Sequence, residues 1–437
     1  MTDLHRHNAN AGVTEDAVRR DAAHLQNYCI ALQPICDGEL THVADELLYR
    51  ESATATFADL SDEQAVTATA RVCHIAFYEI GVQRLVGDRQ LFVNAPRDWL
   101  LKPELLPPNI DQVVVEVLEN VAAEPEVLAS LQHIRSLGYE VALDDFVLSE
   151  QTKPLLDVAT IVKVDMLEPF NEADIALYKS RGLRLLAEKV EDMETFDRLR
   201  QVGFTLFQGY FYAKAQTRQA FSSERQNNHA ALIRLLAELQ KADARYKDIE
   251  QLIAQDAQLT YLLLRYANSA FFHYKGKIQT LFQALQVLGL KLAGSLALTM
   301  LLANHGPACK LMLSRALTRA AMCERLASLR SEGVESAFFV GILSMMGELL
   351  GKSLQQLLDE LQLSQDIVAA LLRREGVLGA LLQEIESFET ANVRGWPPER
   401  VELFNQTWLQ SQIWTTQLLA VLQGSDGGSA REVETAV

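Results

Sequence analysis

The sequence predicts a parallel β/α barrel in its first half and an all-α domain in its second, on three observations. From Tyr28 to about Gln216, short β-type runs alternate with helix-like stretches, the pattern of βα units and a largely parallel sheet. Six of those runs carry an acid or a carboxamide at or near their end. Beyond Gln216 the strand-like runs almost vanish, and apolar residues recur at helical spacing.

In chain order, HVADE ends at Glu46, LFVN at Asn94, and VVVEVLE carries Glu116. VALDD ends in Asp144 and Asp145, LLAE ends in Glu188, and FTLF runs into Gln208. EPEVLASLQHIRSLG and EADIALYKSRG supply helices between strands. In the second half ALIRLLAELQ, IEQLIAQDAQLTYLLLRYA, LFQALQVLGLKLAGSLALTMLLA and SRALTRAAMCERLASL are expected helices. Gly289 and Gly294 mark either a close helix contact or a helix break. PERVELFNQTWLQSQIWTTQLLAVLQ closes the domain, with Trp408 and Trp414 facing inward. The expected organisation is a disordered tail over 1–26, the barrel over 27–216, the helical domain over 217–423, and a Gly/Ser-rich disordered tail over 424–437.

A chain of 437 residues has room for two or three domains with substantial cores. The net charge of −17 and the lack of a dense basic run exclude general nucleic-acid binding. Five cysteines without CxxC spacing read as reduced, mostly buried thiols. The N-terminus lacks the apolar core of a signal peptide. The most apolar stretch, Leu292 to Ala303, is shorter than the ~20 residues a membrane span requires. The expectation is a cytoplasmic protein.

In a parallel β/α barrel, side chains at the C-terminal strand ends converge on one mouth. Carboxylates gathered there repel one another unless a cation sits among them. The set therefore points to one or two hard divalent ions and to phosphate chemistry. Glu46, Asn94, Glu116 and Asp144 offer hard oxygen atoms, and the adjacent Asp144 and Asp145 suit ions ~3.5–4 Å apart. Lys163 in VKVD is a cation for orienting water or a phosphoryl oxygen. Arg50 is a candidate phosphate clamp, and Glu188 either holds the second ion or activates water. Any one of these acids alone is more often a solvated strand end; the ordered set carries the reading.

These motifs resemble the EAL domain, the bacterial module that opens cyclic di-GMP to linear pGpG. The E-x-L-x-R motif appears as Glu46-Leu47-Leu48-Tyr49-Arg50, and the asparagine motif as Val93-Asn94. Glu116-Val117-Leu118-Glu119, Asp144-Asp145-Phe146, Lys163-Val164-Asp165, Glu188 and Gln208-Gly209-Tyr210 follow in the family's order. The resemblance implies a modified TIM barrel with Mg²⁺ or Mn²⁺ held by Glu46, Asn94, Glu116, Asp144 and Asp145. Lys163, Glu188 and Gln208 would complete the site, Arg50 would contact cyclic di-GMP, and Glu119 would brace the loop after Asp145. In active members that loop is rich in Gly and Ser and also organises a dimer. Here Phe146-Val147-Leu148-Ser149-Glu150-Gln151-Thr152 carries no glycine, and Val147 cannot take a positive φ freely.

In the second half, Leu263–Phe272 followed by Ile278–Gly289 resembles the HDOD domain, a helical relative of HD phosphohydrolases without their metal centre. Asn268 and Ser269 are expected to cap a helix or shape a turn. Gly341–Glu348 offers no His-Asp pair, and Met345 and Met346 read as core or as an adaptable partner surface. The expected function is a cyclic di-GMP receptor with weak or no hydrolysis, its helical domain relaying occupancy to a protein partner. The alternatives are an active metal-dependent phosphodiesterase and a nucleotide-independent scaffold. A homodimer is left open.

Overall fold

The computed structural model describes residues 29–50, 76–77, 80–108, 110–211, 234–235, 238, 245–255, 257–268, 278–303, 307–350, 353–361 and 363–423. Both expected tails, most of ALIRLLAELQ and the side chain of Arg50 lie outside the described residues.

Eight strands close into a barrel in chain order. They are β1 (Cys29–Asp37), β2 (His42–Arg50), β3 (Gln90–Ala95), β4 (Val113–Val117), β5 (Glu140–Leu143), β6 (Ile161–Asp165), β7 (Arg184–Val190) and β8 (Leu206–Gly209). Strands β2 to β8 pair in parallel, whereas β1 runs antiparallel to both β2 and β8. The barrel is thus a modified one, as the resemblance implies. The strands are short and rich in Val, Ile and Leu because both faces are covered. Inside, Ile35, Ala44, Phe92, Val114, Ala142, Ile161, Leu186 and Leu206 pack as one layer, with a residue from every strand.

The crossover helices seal the outside. Asn171 accepts from the Ala173 N–H at 3.0 Å and Asp192 from the Thr195 N–H at 2.8 Å, so both helices start on a side-chain cap. No helix among the described residues is long and apolar enough to cross a membrane.

The second half is helical, as expected. Helix α1 (Pro307–Arg330) runs through its centre and packs on α2 (Val334–Leu343), α3 (Gly376–Glu389) and α4 (Pro398–Gln423). The helix Leu281–Ala303 is broken at Gly289, where φ is 75° and ψ is 158°, the break being one of two readings of that glycine. Asn268 ties the end of one helix to the next: its Nδ2 donates to the carbonyls of Leu264 and Ile278, and its Oδ1 accepts from the Ile278 N–H, all at 2.8 Å. Met345, Met346 and Trp408 are buried, and Trp414 lies edge-on to Phe338. The thiols of Cys29, Cys36 and Cys323 are free and buried.

The helical half holds a buried cation, Arg319, fixed by partners from two other segments. Arg319 donates to Ser344 Oγ at 3.0 Å and to Glu389 Oε1 at 2.8 Å. Burial alone would raise the Glu389 carboxyl, but Arg319 and then Arg315 hold it below its usual range. A carboxylate depressed in the folded state stabilises above its unfolded pKa and loses that contribution as pH falls through the folded value. Acid titration below about pH 4.5 should therefore cost the native protein more stability than a double variant Arg319→Met/Glu389→Leu. Equal acid sensitivity by circular dichroism would refute the assignment.

The two halves share one continuous core. Helices α3 and α4 lie against β1. The Ile30 N–H donates to Asn405 Oδ1 at 3.0 Å, and Thr416 Oγ1 donates to the Leu85 carbonyl at 2.9 Å, both buried. Among the described elements the first strand is thus clasped by the last helix.

Candidate functional site

The position of each site residue follows from the inner apolar layer. Side chains on a strand alternate faces, so the residue two places beyond an inward-facing one also points inward, one layer higher. Ala44 is followed in this way by Glu46, Phe92 by Asn94, Val114 by Glu116 and Ala142 by Asp144. Ile161 is followed by Lys163, Leu186 by Glu188 and Leu206 by Gln208. Seven strands thus place their polar residue in one layer at the barrel mouth. Strand β1 runs the other way, so its member stands two places before Ile35, at Gln33, paired in register with Glu46. Sequence reading missed Gln33 because it sought polar residues at the C-terminal ends of strands, which an antiparallel strand presents at the opposite rim.

Lys163 is the hub of the layer. It is 1% exposed, and its Nζ donates to Asp144 at 2.8 Å, to Glu46 at 3.4 Å and to Glu116, and pairs with Glu188 at 3.0 Å. Gln208 Nε2 donates to Glu46 Oε2 at 2.7 Å, across the width of β1. Burial would lower the Lys163 ammonium, but the carboxylates of Glu116, Glu188, Glu46 and Asp144 raise it well above its ordinary value. One ammonium cannot satisfy so many acids. Burial, and then Glu46, push the Glu116 carboxyl well above the usual carboxylate range. Burial raises Glu188 to about 8 against the pull of Lys163, with Asp144 and Glu46 adding to the rise.

Asp145 leaves the strand in a left-handed conformation, φ 40°, beside Asp144. Burial and then Asp144 raise its carboxyl. Asp144, Asp145 and Glu188 each bring a carboxylate oxygen within 4.8 Å of the others, a spacing that fits a shared ion. Among the described residues five buried oxygen atoms have no hydrogen-bond partner: Asn94 Oδ1, Glu116 Oε2, Asp145 Oδ1, Glu188 Oε2 and Gln208 Oε1. Buried polar atoms are rarely left unsatisfied. Five orphaned oxygens beside an excess of carboxylates fit a hard divalent cation, which takes oxygen ligands.

The loop after Asp145 is ordered without glycine. Ser149 and Thr152 bond reciprocally, Ser149 N–H to Thr152 Oγ1 at 2.9 Å and Thr152 N–H to Ser149 Oγ at 3.1 Å. Thr152 Oγ1 also donates to the Val147 carbonyl at 2.7 Å. The left-handed residue is Asp145, and Val147 keeps a negative φ, 76% exposed. Glu119 stands exposed on the same rim; burial and then Asp145 raise its carboxyl. Among the described residues Glu119 has no hydrogen-bond partner.

Residues 39–215 match the EAL domain family and residues 228–385 the HDOD domain family. The chain is 31% identical over 406 residues to "Cyclic di-GMP phosphodiesterase CdgJ" of Vibrio cholerae, covering 89% of this chain and 92% of that protein. It is 28% identical over 376 residues to "Uncharacterized protein YuxH" of Bacillus subtilis, covering 83% and 91%. Among solved structures, an EAL domain protein from Listeria monocytogenes is 23% identical with a TM-score of 0.36, over 45% of this chain and 90% of that one.

Proposed function

The chain belongs to the family of proteins that join an EAL domain to a following HDOD domain, and on that premise we propose that its barrel binds cyclic di-GMP with a divalent ion and hydrolyses it to pGpG. The observation that carries this is the layer of Glu46, Asn94, Glu116, Asp144, Lys163, Glu188 and Gln208 around orphaned oxygens at one mouth. The phosphodiesterase name of the Vibrio cholerae relative supports it. Glu46, Asn94, Glu116, Asp144 and Asp145 are the proposed ligands of Mg²⁺ or Mn²⁺. When bound, such an ion supplies Lewis-acid chemistry at the phosphoryl group.

The chain's own residues do the rest. Water attacks one phosphorus of the ring and the bond to the 3′ oxygen breaks, leaving a 5′ phosphate and a 3′ hydroxyl. With a cation sharing the site Glu188 would be a carboxylate and would take the proton of the attacking water, Lys163 would offset the negative charge that grows on the phosphoryl oxygens, and the departing 3′ oxygen would take a proton from solvent. Gln208 fixes Glu46, Arg50 contacts the nucleotide phosphate, and Glu119 steadies the loop after Asp145. The second reading, a receptor with weak or no hydrolysis, is favoured by the lack of glycine in that loop. The Ser149–Thr152 bonds weigh against it, because they order the loop by other means. In either case the helical half relays occupancy to a protein partner, and a homodimer is part of the proposal.

The test is chromatography of purified protein with cyclic di-GMP and Mn²⁺. Metal-dependent pGpG that falls at least about 100-fold in Glu46→Gln is the expected result, in the range for losing one electrostatic contact to a transition state. Asp144→Asn should in addition weaken Mn²⁺ binding in a calorimetric titration. No product with tight nucleotide binding would favour the receptor, and undiminished Mn²⁺ binding in both variants would sink the assigned ligands.

A further inference from the structure

A cavity of about 140 Å³ lies between the barrel and the helical half, lined by none of the proposed metal ligands. One wall is the continuous run Cys29–Pro34 of β1, with Tyr210 beside it, and the other comes from α1, α3, α4 and Met345. Interiors close-packed at ordinary density hold few voids larger than a water molecule. Ligand pockets, in contrast, occur preferentially at domain interfaces and are mostly apolar with a few placed polar groups.

The walls say what fits. Met312, Met345, Phe388 and Trp408 are buried and line it. The two acids within it are already neutralised. Asp45 accepts from His42 and Arg89, both at 2.8 Å, and Glu389 accepts from Arg319 at 2.8 Å and Arg315 at 3.3 Å. The remaining charged linings, Arg315 and Glu348, stand at the open rim. A charged occupant would lose its hydration in an interior whose carboxylates are already paired, since Glu348 stands in solvent at the rim, and buried ions do not tolerate that. Gln412 brings a polar group to the inner wall. Gln412 is 6% exposed, and its Oε1 accepts from Thr318 Oγ1 at 3.0 Å, while its amide N–H groups have no partner among the described residues.

We propose that this cavity binds a neutral small molecule with a single apolar ring and one hydrogen-bond acceptor, the acceptor meeting the Gln412 amide. A dry cavity of roughly this volume, about 150 Å³, takes up benzene, so one ring with a carbonyl or hydroxyl is the matching size. The occupant lies against β1, the strand that carries Gln33 into the layer of the metal site. Gln33 lines the cavity as well, so binding there bears on the barrel mouth through that strand.

The probe is benzamide, titrated calorimetrically into the full chain, with benzoate as the charged control. One saturable site is expected, with a Kd on the order of 0.1–1 mM for a molecule of this size. Benzoate should bind at least about tenfold more weakly, and Gln412→Leu should weaken benzamide about tenfold, the equivalent of one hydrogen bond. Ser314→Phe, which fills the space, should abolish binding. No saturation, or saturation unchanged in Gln412→Leu, overturns the proposal. The leucine variant keeps it testable if the phenylalanine variant fails to fold.

Discussion

Lys163→Met will remove about 3–5 kcal/mol of stability in metal-free buffer, the range for leaving buried charges without their partner. Methionine keeps the length and most of the volume of the lysine stem, so packing contributes little to the loss. What disappears is the ammonium shared by Glu46, Glu116, Asp144 and Glu188. Their carboxylates would then face one another in a site from which water is largely excluded. Added Mn²⁺ should restore part of the loss, because a divalent ion replaces the missing charge and binds only the folded layer. Urea unfolding with and without Mn²⁺ reads both effects. A loss below about 1 kcal/mol, ordinary for a surface pair, would mean that Lys163 is not the hub. If Lys163 has the role proposed for it, the same substitution should lower pGpG formation and added Mn²⁺ should not restore it.

Gly209→Ala will have an effect of similar size by a different route. Gly209 has φ 146°, and a Cβ placed on it would lie 2.2 Å from the Val190 carbonyl oxygen and 2.5 Å from the Val190 nitrogen. Both are main-chain atoms, so no rotamer change relieves the overlap. Strand β7 is irregular at this point, with Lys189 at φ 53° and a register shift between Ala187 and Val190. The two strands must separate, and Gln208 moves with them, breaking its 2.7 Å bond to Glu46. Backbone strain and overpacking of this kind cost about 2–6 kcal/mol together. Thermal unfolding and nucleotide affinity should fall in step. Native stability in this variant would show that the β7–β8 seam is looser than its geometry.

Much of the barrel was legible because two signals coincided. An apolar run with a polar residue two places past an inward-facing one is the local record of a strand that ends at a functional mouth. Asn94, Glu116 and Lys163 all carry that record, and the inner layer explains it. Strand β1 was not legible in this way. Its inner face reads Gln33-x-Ile35, with no terminal acid to announce it. The order of the loop after Asp145 was hidden for another reason: Ser149 and Thr152 are spaced to bond each other, whereas the eye looks for glycine. In the helical half the periodicity gave the helices but not their partners. Asn405 and Thr416 look like solvent-facing residues of an amphipathic helix, and only the packed chain reveals that they reach Ile30 and Leu85. Arg319 likewise gives no local sign that Glu389, 70 residues away, will neutralise it.

The clasp of the last helix on the first strand has a consequence for how the chain is made. Ile30 and Asn405 are separated by 375 positions. During synthesis β1 emerges first, yet its partner β8 and its cover α4 are both still to come. Contacts so distant along the chain form slowly, since closing the intervening loop is opposed by entropy. Until the ribosome has finished α4, the outer face of β1 is an exposed apolar edge of the kind that chaperones hold. A nascent chain stalled before residue 398 should be more readily degraded than one stalled after residue 423.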